Sequence, residues 1–110
     1  MAVDAGTLVE EMHRSVPSFS PNPEYVEDGL TYFLINDLGR FICRSAHDGS
    51  WDAVREAVGF LDSFLASEEP EVEKLVGDCI WGLLDCPDFD KVKPLFGARL
   101  RKLSARYPPS

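Results

Sequence analysis

Apolar residues in this chain recur at three- and four-residue steps, in runs that glycine and proline repeatedly interrupt. That period is one face of an α-helix. Leu30, Phe33, Leu34, Leu38, Phe41 and Ile42 keep it, predicting a helix over 30–46. Val72, Leu75, Val76, Cys79, Ile80 and Leu83 keep it again over 70–84, behind Pro70, which suits a first helical position. Residues 51–66 carry two adjoining stripes, one of Trp51, Val54, Val58, Leu61 and Leu65, the other of Ala53, Ala57, Phe60 and Phe64. This helix is therefore expected to touch neighbours on two sides, with Ser50 as its N-cap. Leu8, Val9 and Met12 predict a short helix over 7–14. Phe89, Val92, Leu95, Phe96, Leu100, Leu103 and Tyr107 form a last stripe, bent near Pro94 or Gly97.

The breaks are equally legible. Residues 15–23, SVPSFSPNP, read as an irregular connection, and 48–50, 67–70 and 85–88 as turns. Tyr32, Phe33, Leu34 and Ile35 could seed a strand, but they sit inside helical spacing. The fold class is all-α, with five or six helices in antiparallel α-hairpins. One domain is expected over 1–110, with disordered ends at about 1–5 and 107–110.

At 110 residues the chain can bury one modest core. No run reaches the roughly 18 apolar residues of a membrane span. The opening MAVDAGTLVEEMHRS lacks the basic and apolar regions of a secretory signal. A hydrophobic content of 45% is too high for wholesale disorder. Cys43, Cys79 and Cys86 make an odd count, which argues for reduced thiols in a cytoplasmic protein rather than a disulfide framework. Cys43 with His47 supplies only two possible metal ligands from one turn, and His13 is the one other histidine, so no metal or other cofactor is expected.

The charge is uneven. All 19 acids and five of the 11 bases lie in residues 1–90, a balance of −14, while 91–110 carry six bases and no acid. Glu68, Glu69, Glu71 and Glu73 fit a solvated face near a helix N-terminus, where the dipole favours acids. The alternative is a negative field that steers a basic partner. Nucleic acid is disfavoured as a partner, because phosphates would be repelled. The basic stretch 91–110 reads first as a complement to the helix dipole and second as an anionic-surface patch.

On the helix over 70–84, steps of 100° place Trp81 opposite the apolar face, beside Lys74, Asp78 and Asp85. Either Trp81 packs on the helix over 30–46, or it is an exposed anchor rimmed by carboxylates, the composition of a binding hot spot. Asp37, with Arg40 and Arg44 at i+3 and i+7, reads as an intrahelical ion pair.

The stretch WDAVREAVGFLDSFLASEEPEVEKLVGDCIWGLL resembles a HEAT- or armadillo-type α-hairpin, with an acidic turn followed by proline. Together with INDLGRFI and LFGARLRKL, it also resembles a family of short bacterial all-helical proteins of unknown function. Gly97-Ala98 stands where Gly-Pro would fit the family pattern. The resemblance implies a small HEAT-like stack serving as an interaction module, and some members accompany secreted toxins as immunity proteins. It supplies no catalytic residues.

The expected function is a protein-binding module, an immunity protein that occludes the active or substrate-binding surface of a cognate basic toxin. The expected contact residues are Glu56, Asp62, Glu68, Glu69, Glu71, Asp78, Trp81 and Asp85. The alternative is a non-inhibitory adaptor that binds a peptide or helix. No membrane partner is expected, and the chain would be a monomer alone or a heterodimer with its partner. Gly-rich phosphate loops, H-E-x-x-H and G-x-S-x-G are absent, so an enzyme is not expected. Cys43 with His47 and Asp37 is the nearest approach to a nucleophile set, with no nameable oxyanion donor.

Overall fold

In the computed structural model, which describes residues 5–106, the predicted stripes become helices. They are α1 (Ala5–Ser15), α2 (Pro23–Glu27), α3 (Thr31–His47), α4 (Trp51–Phe64), α5 (Pro70–Leu83), α6 (Phe89–Val92) and α7 (Ala98–Ser104). Single 3₁₀ turns, Leu65–Ser67 and Lys93–Leu95, extend α4 and α6. There is no strand among the described residues, so the chain is all-α. The disordered ends expected at 1–5 and 107–110, and the place of Tyr107, fall largely outside the described residues.

Among the described residues there are seven α-helices rather than five or six, because α2 is added and the last stripe, at its expected bend, is divided into two. The connection over 15–23 is not irregular to its end: Asn22 Oδ1 accepts the Glu24 N–H at 3.0 Å and Pro23 occupies the first turn, which starts α2. Upstream of it, Val16 and Phe19 are buried in the core. The last stripe is divided, because Pro94 lies in the 3₁₀ turn and Phe96 and Gly97 are extended, which separates α6 from α7. Ser50 does hold the N-cap position of α4, but its side chain makes no capping bond.

The α3–α4 turn is closed by Gly49 at φ +78°, a left-handed conformation that glycine adopts without steric cost. The Ser50 N–H reaches back to the Ser45 carbonyl at 2.8 Å. So short a link makes α4 antiparallel to α3. The α4–α5 link passes through Glu68, which takes φ +58° without being a glycine. Its N–H donates to the Leu65 carbonyl at 3.1 Å.

The largest helix–helix contact is between α3 and α5. These two run the same way. A Cβ on Gly39 would lie 3.1 Å from Cys79 Sγ, the Cys43 thiol meets Cys86, and His47 Nδ1 lies 3.9 Å from Asp88 Oδ2, so residue numbers ascend together on both sides. The buried position Gly39 is what permits the close approach.

Every predicted core position of α5 is buried. The two stripes of α4 are both used, against α3 on one side and α1 and α7 on others. In α3 the stripe is shifted: Ile35 is fully buried, whereas Phe33 is 44% exposed and stacks on Tyr25 of α2, with ring centroids 5.3 Å apart.

Candidate functional site

The outer face of α5 carries the most exposed large apolar side chain among the described residues. Trp81 is 62% exposed. The cause is the helix itself. Cys79, Ile80 and Leu83 turn inward to the core, and 100° per residue then leaves residue 81 pointing out. Asp78 and Asp85 stand one turn before and one turn after Trp81, the first half-buried and the second exposed. Neither takes part in an ion pair among the described residues.

The other acids of the expected set lie elsewhere. Glu68, Glu69 and Glu71 gather at the start of α5, roughly 20 Å from Asp85 at 1.5 Å per residue. Glu71 and Glu73 sit in the first turn, where the helix dipole favours them. Because α3 and α5 run in the same direction, this end also carries Tyr32 and Phe33, exposed by 48% and 44%. Glu56 is exposed on α4. Six of the eight expected contact residues thus form two groups toward opposite ends of α5, Glu68, Glu69 and Glu71 at its start and Asp78, Trp81 and Asp85 toward its end, not one continuous patch.

Asp62 has a task inside the molecule. Its Oδ1 accepts the Leu100 N–H at 2.8 Å, and Arg99 Nη1 lies 4.0 Å from Oδ2. Gly97, the N-cap of α7, has no side chain to cap the helix, so a carboxylate from α4 caps it in trans. A Cβ at Gly97 would lie 2.6 Å from both Asp62 carboxylate oxygens, which is why the position is bare. Arg106 Nη1 reaches Glu73 Oε1 at 3.1 Å, and Arg101 Nη2 donates to the Phe96 carbonyl at 3.0 Å. Part of the basic C-terminal stretch therefore neutralises the acids of α4 and α5. Local sequence held no signal for this, because the partners are 33 and 38 residues apart.

A cleft of about 440 Å³ lies along the α3–α5 seam, lined by Asp37, Arg40, Cys43 and Arg44 on one wall and Cys79 and Gly82 on the other. Asp37 makes the intrahelical pair with Arg40, at 3.5 Å, and also accepts the Asn22 N–H at 3.2 Å, fastening the 15–23 segment to α3. Arg44 takes no part in the Asp37 pair.

The three groups weighed as a nucleophile set go separate ways. Asp37 is held by Arg40 and Asn22, His47 faces Asp88, and Cys43 lies beside Cys86. Burial, then the adjacent Cys86 thiol and the negative neighbours, pushes the Cys43 thiol up to about 12, the opposite of an activated nucleophile. Burial alone pushes Cys79 up to about 12. No group of three or more His, Cys, Asp or Glu among the described residues is placed to hold a metal ion. No helix among them is long and apolar enough to cross a membrane.

Set against known proteins, the chain matches no family model, no curated protein and no solved structure.

Proposed function

We propose that this chain is a protein-binding module whose partner is a basic protein, docked on the outer face of α5. The observation that carries this reading is Trp81, exposed by 62% between the carboxylates of Asp78 and Asp85. An indole supplies desolvated contact area, and flanking acids supply ionic partners for Arg and Lys. A formal charge of −8 favours the same class of partner at long range. In its specific form the module is a bacterial cytoplasmic immunity protein. It would sit over the cleft of a cognate toxin such as a nuclease, with its acids taking the place of substrate phosphates. The α4–α5 hairpin, with its HEAT-like sequence, is the scaffold for that face.

The test measures binding to basic nuclease domains encoded beside this chain, by titration calorimetry across a range of salt. Trp81→Ala is expected to weaken binding by roughly 30-fold or more, as for a hot-spot residue. Asp78→Lys with Asp85→Lys is expected to slow association and flatten the salt dependence. Binding that is indifferent to both salt and Trp81 would end this reading.

The division of the acids into two groups favours one second reading, a non-inhibitory adaptor that grips a peptide beside Trp81. In that case Glu68→Lys and Glu71→Lys leave affinity unchanged, and the bound partner retains its activity.

A further inference from the structure

The three cysteines, scattered in sequence, meet in space. Cys43 and Cys79 both line the α3–α5 cleft, and Cys43 lies beside Cys86, from the turn that follows α5. The segments carrying Cys43 and Cys86 are held in register by a second contact. His47, one turn beyond Cys43, lies 3.9 Å from Asp88, two residues beyond Cys86. Asp88 is itself placed by Lys91, also at 3.9 Å.

We propose that Cys43 and Cys86 are a modification site, a dithiol that a low-molecular-weight disulfide such as glutathione disulfide converts into an intramolecular bond between α3 and the α5–α6 turn. Cys43 is the entry point, since it is half-buried and opens onto the cleft, whereas Cys86 is buried. Cys79 is the residue left over. It is fully buried, with its sulfur against Gly39, and acts as a core side chain. The odd cysteine count then resolves into one pair and one packing residue.

The chemistry closes on itself. The Cys43 thiolate attacks one sulfur of glutathione disulfide, forming a mixed disulfide and expelling one glutathione thiolate. Cys86, deprotonated in turn, attacks Cys43 Sγ and expels the second. Two electrons pass from the protein to glutathione, and the two protons lost by the cysteines end on the two glutathione thiols. The partial burial of Cys43 and the burial of Cys86 make each step slow, so the reaction is followed to equilibrium.

The experiment incubates the whole chain with glutathione disulfide until thiol titration is constant, then maps peptides without reduction. The free thiol count is expected to fall from three to one, with a single peptide pair joined through Cys43 and Cys86. The linked form should melt about 10 °C higher, because the bridge closes a long loop in the unfolded chain, and dithiothreitol should reverse the change. Cys86→Ala should stop at a glutathione adduct on Cys43, and Cys79→Ala should still form the bond. Three thiols persisting at equilibrium, a bridge that includes Cys79, or a bridge between two chains would each overturn the proposal. If a variant does not fold, the peptide map of the unaltered chain decides alone. None of these outcomes depends on the identity of the protein partner.

Discussion

Asp62 shows how one carboxylate can be claimed by the fold. Its bond to the Leu100 N–H and the bare Gly97 beside it form a single unit. Asp62→Ala is expected to cost about 1–2 kcal/mol, the range for a lost helix cap. Gly97→Ala is expected to cost a similar amount, because the new methyl displaces the carboxylate from its donor. The double variant should fall well short of the sum, and urea denaturation of all four proteins checks this. The thiols set a second residue-scale expectation. Burial lets the folded chain hold these protons to higher pH than the unfolded chain does. The stability this brings is whole below pH 9.0, the ordinary thiol value, and is lost as pH climbs through about 12. Denaturant midpoints should therefore fall between about pH 8 and about pH 11, and fall less in a Cys79→Ala variant.

Three helical glycines separate helix propensity from packing. A Cβ on Gly59 of α4 or Gly82 of α5 would enter open space, whereas on Gly39 of α3 it would press Cys79 Sγ at 3.1 Å. Gly59→Ala and Gly82→Ala are each expected to raise stability by roughly 0.5–1 kcal/mol through helix propensity alone. Gly39→Val should lower it by about 1–3 kcal/mol, by forcing the α3–α5 seam apart. Thermal melts of the three variants distinguish the cases. The long helices were legible in sequence because each carries several turns of one apolar face. The five-residue α2 was not, since it buries none of its residues and so prints no stripe; Asn22-Pro23 was its only mark. Phe33 misled for the reverse reason. It keeps the helical period, yet it lies at the rim, where α2 rather than the core covers it.

Across the whole molecule, the charge asymmetry is partly turned inward. Arg99 and Arg106 lie against Asp62 and Glu73, which removes two acids from what a partner would meet. Arg99→Gln with Arg106→Gln is expected to cost less than about 1 kcal/mol per pair in stability, as for exposed ion pairs. The same change should speed association with a basic partner at low salt, and stopped-flow mixing would measure it. The extents of 33 × 29 × 20 Å describe a flattened body, one broad side of which matches the roughly 800 Å² that each partner buries in a stable interface. From its sequence alone, this protein's all-α class, its long helices and the inward face of α5 could be read, because helical periodicity is local and repeats within each segment. The tertiary structure alone decided that Asp62 caps α7, that Glu73 meets Arg106, and that Cys43 lies beside Cys86. Those outcomes depend on side chains tens of residues apart, and no local period records where such partners meet.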